Sequence, residues 1–355
     1  MGRALGISEL VKASGERSDA AGFPHSSPLA LKAMLHMAII EALDGSGYLD
    51  SLVFQGGSCL SEVYGSARLS EDLDFAAGSK SDLESFSGLG DCIGDALSDL
   101  VDARVNVKAP DLGKAMAKGL PVARWVASVD LTPDDPSSPL ERVKVELACV
   151  DARDTVIEFP NPPIKSLAGG FEDIPMPVES RDELLADKLV SFAHSSHPRT
   201  RDVWDASWLL GHGADLEGAL GLLPAKLGDY GYERTGEAFR DAGARVMEAF
   251  AEAERSQLAL QLPTDVAGRT VRRERGARAA MARVSGALYR AADALDHHAA
   301  SEGGAQSRDE ASRFDGIGGG PDKGEFDLEE IISDVTPRTA EPDDPNDHST
   351  SRDRA

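Results

Sequence analysis

Phe54-Gln-Gly-Gly-Ser-Cys-Leu-Ser-Glu-Val-Tyr64, followed by Arg68-Leu-Ser-Glu-Asp-Leu-Asp-Phe75, is the stretch that decides the fold of this chain. Asp72 and Asp74 stand at i and i+2 of a short alternating run. On a strand they point to one face, while Leu73 and Phe75 point to the other. Two like charges on one face repel unless a cation neutralises them. Hard cations such as Mg²⁺ or Mn²⁺ take oxygen ligands, and Mg²⁺ usually takes one or two carboxylates plus phosphate oxygens of the substrate. Gly56, Gly57 and Ser58, just before a short helix, offer a triphosphate close backbone approach, free amides and a positive dipole end. Ser70 lies two residues before the carboxylates and is a further neighbour of the site. A loop suited to phosphate beside a strand suited to metal suggests a nucleotidyltransferase.

The surrounding pattern sets out the rest of the chain. Ser27 and Pro28 suit a helix start, and Leu31, Leu35, Ala38, Ile39 and Ala42 form an apolar stripe over residues 28–44. Leu52–Phe54 reads as a strand, Ser58–Tyr64 as a short helix ended by Gly65, and 82–102 as a helix. Residues 104–107, 125–131 and 142–147 read as strands by period-two alternation. The proline-rich segment 158–178 reads as a connection between domains, and the chain beyond Ser180 reads as helical. Ser180 with Glu183 forms a capping-box pattern. The expected fold is therefore α+β, a mixed sheet with flanking helices followed by a helical C-terminal domain. The expected boundaries are 1–165 for the core, 166–299 for the helical domain and 300–355 for a disordered acidic tail.

The net charge of -24 is unevenly spread. Residues 301–355 carry 15 Asp/Glu against 6 Lys/Arg, a net of -9, which leaves -15 on residues 1–300. Such a chain does not bind nucleic acid through bulk charge, so any RNA contact needs a local basic patch. In the tail, Phe326–Ile332 is an amphipathic island suited to an unknown partner. No signal peptide and no membrane-spanning run is evident, and the three cysteines are scattered. A reducing cytoplasm is the expected location, with no membrane association.

Several further residues are singled out by spacing. Lys188 falls inside the apolar stripe Leu184, Leu185, Leu189 and Phe192, since residues advance about 100° around a helix. A lysine on a buried face must find an anion or snorkel outward. Asp202 and Asp205 lie three apart, hence on one helical face, with Arg199 and Arg201 beside them. Glu146 lies on the polar face of its strand, and Asp130 competes with it as the third acidic residue. His194 and His197 read as exposed loop histidines without the partners zinc needs. Arg269, Arg272, Arg273, Arg283 and Arg290 would fall within about 100° of arc on a single helix. They form the one basic patch, suited to an RNA backbone, unless Gly276 breaks the helix.

The chain resembles the AbiEii/AbiGii-type nucleotidyltransferase toxins, including the MenT-type toxins. The resemblance rests on the two quoted stretches, then on Glu183-Leu-Leu-Ala-Asp-Lys-Leu-Val190 and Arg201-Asp-Val-Trp-Asp205. It implies transfer of a nucleoside monophosphate from an NTP to an acceptor with Mg²⁺, the acceptor in MenT-type members being the tRNA 3′ end. It also implies a toxin restrained by an antitoxin from a neighbouring gene. Asp72, Asp74 and Glu146 would then bind metal. Lys188 would reach the phosphates, and Asp202 or Asp205 would position Lys188 or act on the acceptor. The resemblance does not extend to residues 300–355. Two alternatives stand beside this: a small-molecule nucleotidyltransferase of the antibiotic-modifying kind, and a nucleotide-binding or interaction module without turnover.

Overall fold

A computed structural model of the chain describes residues 4–23, 28–116, 122–135, 140–167, 169–197 and 199–311, with backbone alone beyond 300. Ser27, the island 326–332 and the tail from residue 312 lie outside the described residues. Two helices open the chain, α1 (Ile7–Ala20) and α2 (Pro28–Gly45). α2 is apolar around most of its circumference. It buries Ala30, Met34, Met37 and Ile40 as well as Leu31, Leu35 and Ile39. The single stripe expected from spacing is thus only part of a core helix.

The central elements follow in quick succession: β1 (Val53–Gln55), α3 (Gly56–Glu62) and β2 (Asp72–Ala76). Gly65, with φ of 75°, turns the chain out of α3 as expected. The expected single helix over 82–102 is broken in two, a 3₁₀ turn at Leu83–Phe86 and then α4 (Leu89–Leu100). Asp82 starts the first piece by accepting a hydrogen bond from the Glu84 N–H at 3.0 Å, and Gly88 lies between the two. Next come β3 (Arg104–Lys108), α5 (Leu112–Met116), β4 (Val122–Asp130), β5 (Glu141–Ala148), β6 (Thr155–Glu158) and β7 (Met176–Glu179).

The seven strands form one mixed sheet in the order β3-β4-β5-β2-β1-β7-β6. β2 sits near its middle, parallel to β5 and antiparallel to β1. Its inward side chains behave as the alternation requires: Leu73 and Phe75 are fully buried, and Phe75 stacks on Phe54 of β1 with centroids 5.0 Å apart. The chain returns to the sheet after residue 165, because β7 pairs in parallel with β1.

Seven helices complete the described chain: α6 (Arg181–Ala193), α7 (Thr200–Gly211), α8 (Leu216–Asp229), α9 (Glu237–Ala249), α10 (Glu252–Leu258), α11 (Thr264–Arg269) and α12 (Glu274–Ala311). One hydrophobic core runs from Leu10 to Leu295, and residues 1–304 form one compact unit. Half of the capping box at α6 is made, with Ser180 Oγ accepting from the Glu183 N–H at 3.2 Å. The Glu183 carboxylate turns elsewhere, accepting from the N–H groups of Arg153 and Asp154 at 2.7 and 2.6 Å. It thereby ties the segment between β5 and β6 to the first turn of α6.

Glu62, at the end of α3, is buried against the apolar core, and its Oε2 meets no donor. Burial lifts its carboxyl from 4.5 to about 8. Between those values the folded state holds a proton that the unfolded state has lost. The stability Glu62 contributes is therefore complete below about pH 4.5 and falls as pH rises toward 8. Glu62→Gln removes that dependence. Urea titrations should show variant and wild type alike at pH 4. At pH 8.5 the variant should be more stable by on the order of 4 kcal/mol. An equal difference at both pH values would show that Glu62 does not titrate with folding.

Candidate active site

The site begins at the register of β2 and β5. Asp72 stands opposite Lys144 and Asp74 opposite Glu146, so the three carboxylates occupy neighbouring positions on one face. Lys144 Nζ lies 3.1 Å from Asp72 Oδ2, and Arg124 Nε donates to Glu146 Oε1 at 2.6 Å. Burial, the Glu146 charge and the Asp72 charge together lift Asp74 from 3.8 to about 6, against the pull of Lys188 and Lys144. Asp130, the alternative to Glu146, is removed by the same ladder. Arg124 pairs with Glu146, and Asp130 lies six residues further along β4, about 20 Å away.

The glycine turn is built against this face. Gly56 has φ of 78°, and a Cβ there would come within 2.6 Å of Asp74 Oδ2. At Gly57 a Cβ would meet Arg68 Nη2 at 2.7 Å and Ser70 Oγ at 2.8 Å. Gly56 therefore requires glycine, for conformation and contact, whereas a side chain at Gly57 would displace Arg68 or Ser70. Ser58 differs from expectation. α3 starts at Gly56, so Ser58 is in its first turn and not at its cap. Its hydroxyl is buried and donates to the Asp72 carbonyl. Ser58 thus ties the glycine turn to the carboxylate strand with its side chain.

Lys188 is where the helical spacing puts it, on the buried side of α6, with 13% of its side chain exposed. Its Nζ lies 3.0 Å from Asp205 and 3.5 Å from Asp202 on α7. Burial opposes its charge, yet Asp205 and Asp202 hold its pKa above the ordinary lysine value. Asp205, fully buried, also takes a two-pronged bond from Arg68, with Nε and Nη2 each at 2.7 Å. Burial would push its carboxyl up, but Arg68 and Lys188 bring it down to about 2. Asp202 is buried with Ser191 Oγ at 3.2 Å and Arg199 beside it. Two aspartates thus stand behind one lysine, and Asp205 is the more completely bound.

Gly56, Asp74, Glu146 and Lys188 line one cavity of about 290 Å³, together with Val122, Ala148, Leu184, Asp187, Tyr230 and Tyr232 among others. Asp202 and Asp205 do not line it. As it stands, no group of three or more His, Cys, Asp or Glu among the described residues is arranged to hold a metal ion. The donor chemistry nevertheless suits Mg²⁺, which needs only one or two carboxylates when phosphate oxygens complete its shell. The carboxylates held together on β2 and β5 are met by Lys144 at Asp72 and Arg124 at Glu146.

Two groups escaped the sequence. Arg68 was part of a quoted motif but carries the buried pair with Asp205. The only sequence signal was its place four residues before Asp72. Lys226 on α8 is buried among Glu179, Glu183 and Asp187 at 2.9, 2.6 and 3.0 Å. Nothing local to α8 announced it, because its partners lie about forty residues earlier. One histidine is also corrected, while His197 is exposed between α6 and α7 as expected. His194 is not an exposed loop residue; it caps α6 and stacks on Tyr232 at 3.9 Å.

The arginine face is not assembled as expected. α11 ends at Arg269 and α12 begins at Glu274, so Arg269, Arg272 and Arg273 do not share a helix with Arg283 and Arg290. The break falls at 270–273. Gly276 is inside α12, where the Thr270 carbonyl would sit 2.5 Å from any Cβ. Arg269 pairs with Asp265 at 3.3 Å, Arg283 donates to the Ser207 carbonyl at 2.9 Å, and Arg290 pairs with Glu217. Arg272 and Arg273 are exposed.

A carboxylate pair on a central strand of a mixed sheet, with a glycine turn packed against it, is the arrangement of a nucleotidyltransferase. The sequence profile of the family described as Nucleotidyl transferase AbiEii toxin, Type IV TA system, matches residues 38–285. The chain belongs to that family of nucleotidyltransferase toxins, for which an antitoxin partner and an NTP substrate are implied. Among solved structures it is similar to MenT4, a nucleotidyltransferase toxin from Mycobacterium tuberculosis, at 17% identity and a TM-score of 0.46, covering 82% of this chain and 90% of that one. It is also similar to JHP933 from Helicobacter pylori, at 15% identity and a TM-score of 0.38, covering 78% of this chain and 97% of that one. No curated protein matches it by sequence. No helix among the described residues is long and apolar enough to cross a membrane.

Proposed function

We propose that the chain moves a nucleoside monophosphate from an NTP to the 3′ end of a tRNA with Mg²⁺, as the toxin of a toxin–antitoxin or phage-defence pair acting in the cytoplasm. The observation that carries this is the convergence on one cavity of Asp74 and Glu146 from adjacent strands and Lys188 from α6. Asp72 and Asp74 would hold the metal, which when bound polarises the phosphoryl oxygens and lowers the barrier to displacement. The backbone at Gly56 and Gly57 and the Lys188 ammonium take the negative charge of the triphosphate. Asp205 and Asp202 fix Lys188 and do not meet substrate. Glu146 faces the same cavity and can accept the proton of the acceptor hydroxyl. That oxygen attacks the α-phosphate, the bond to the β-phosphate breaks, and pyrophosphate leaves.

The tRNA acceptor rests on the resemblance to MenT-type members, since Arg269, Arg272 and Arg273 do not share a helix with Arg283 and Arg290. Incubation with each of the four NTPs labelled at the α-phosphate, with total tRNA and Mg²⁺, tests it. Label should enter tRNA with at least one NTP and be absent in excess EDTA. Label on small hydroxylated cations such as aminoglycosides, with none on RNA, would replace the tRNA acceptor by a small-molecule one. The acids lining the cavity are the feature that would favour that outcome.

A further inference from the structure

The lining of the cavity is of two kinds. Asp74, Glu146, Asp187, Lys188 and the Gly56 turn are charged or polar, whereas Val122, Ala148, Leu184 and Val190 are apolar and Tyr230 and Tyr232 are aromatic. A metal and phosphate site does not need the aromatic members. A nucleoside triphosphate is divided in the same way, into a charged chain and a flat, largely apolar base.

The turn that carries the tyrosines is set by the backbone. α8 closes with the Tyr230 N–H on the Lys226 carbonyl at 3.2 Å and the Tyr232 N–H on the Leu227 carbonyl at 2.9 Å. Between them Gly231 has φ of 69°, the left-handed residue such a closure requires. This turn lays the Tyr232 ring parallel to His194, with centroids 3.9 Å apart and planes 5° apart. His194 in turn meets Phe239 edge-on at 5.9 Å, and Phe239 is fully buried. Burial lowers the pKa of His194, which favours the neutral ring. Tyr232 is thus the outermost ring of a stack anchored in the core. It is nevertheless 41% exposed and lines the cavity. With His194 against one face, Tyr230 tilted beside it at 6.3 Å and part of the ring exposed in the cavity lining, Tyr232 is suited to stack a flat ring.

We infer that Tyr232 is the platform on which the base of the incoming nucleotide stacks, with Tyr230 and the apolar wall enclosing its edge. This rests on the nucleotide-transfer function proposed above and assigns the nucleoside end of the same site. Because every base has a flat face, the platform holds purines and pyrimidines alike.

Binding calorimetry with Mg²⁺ tests this without requiring turnover. The ligands are the four NTPs and inorganic tripolyphosphate, which has the charged chain but no base. The proteins are wild type, Tyr232→Ala and Tyr232→Phe. NTP affinity should fall at least about tenfold in Tyr232→Ala, the effect of removing one base–aromatic stack. Tyr232→Phe should bind as wild type, since the hydroxyl is not needed. Tripolyphosphate should bind all three equally, which also shows that the Ala variant is folded. Unchanged NTP affinity in Tyr232→Ala would overturn the platform and leave the transfer function standing. Equal losses of NTP and tripolyphosphate would overturn it too. A wild type that binds NTP through Tyr232 but transfers no label would keep the platform and remove the transfer function. A wild type that binds neither ligand would remove both.

Discussion

Asp74→Asn and Asp72→Asn are each expected to abolish nucleotidyl transfer while leaving the protein folded. Asn keeps the shape and removes the charge. Both side chains stand on the polar face of β2, whose packing face carries Leu73 and Phe75. Removing one carboxylate also relieves repulsion among Asp72, Asp74 and Glu146, so thermal stability should hold or rise slightly. A metal site is worth several kcal/mol at the transition state, so the rate should fall by at least about a thousandfold. Wild-type activity should also depend on pH. Asp74 must be ionised to hold a cation, and burial beside Glu146 places its titration at about 6. Transfer at low Mg²⁺ should therefore fall as pH drops through 6 and recover as Mg²⁺ is raised. Initial rates and melting curves for the two variants check both statements. Full activity in either, or in excess EDTA, would sink the metal-dependent mechanism.

The second large effect is a contrast between two cations that share Asp205. Arg68 holds both carboxylate oxygens of Asp205 from a buried position, whereas Lys188 approaches from the cavity side. Arg68→Met leaves Asp205 with Lys188 alone and opens a break between the β2 segment and α7. Loss of one partner of a buried pair costs about 3–5 kcal/mol. Lys188→Met is different, because Asp205 keeps Arg68 and Asp202 keeps Arg199 and Ser191. Stability should then hold or rise, while transfer falls at least about tenfold as the phosphates lose their cation. Urea unfolding and initial rates on the two variants separate the roles. If Lys188→Met keeps full activity, Lys188 is merely the counter-ion of two buried aspartates. If Arg68→Met is as stable as wild type, the Arg68–Asp205 pair does not hold β2 to α7.

Much of this was legible because it is local. Asp72 and Asp74 share a face by period two, Lys188 lies within an apolar stripe by period 3.6, and Gly65 ends a helix; each follows from neighbours in sequence. The parts that were not legible depend on residues distant along the chain. Ser58 was read with the two glycines as part of the phosphate loop, but its hydroxyl donates to the Asp72 carbonyl fourteen residues on. Glu183 looked like half of a capping box, but it is claimed by the backbone of residues 153–154. The choice between Asp202 and Asp205 as the main partner of Lys188 needed Arg68, 137 residues before Asp205. The arginine face failed for a local reason, since the chain turns at 270–273 between two helices that spacing alone had joined. Glu146 was preferred to Asp130 from the sequence, but only the register of β4 and β5 shows how far Asp130 lies from it.

The most direct measurement of the central claim follows two labels through one reaction. The protein is incubated with Mg²⁺, total tRNA and the NTP it prefers, labelled in parallel samples at the α- or the γ-phosphate. Transfer of a nucleoside monophosphate predicts that α-label appears on the acceptor while γ-label leaves as pyrophosphate, in equal amounts, with neither product formed by Asp74→Asn. Appearance of γ-label on the acceptor, or equal α-label transfer by wild type and Asp74→Asn, would contradict it.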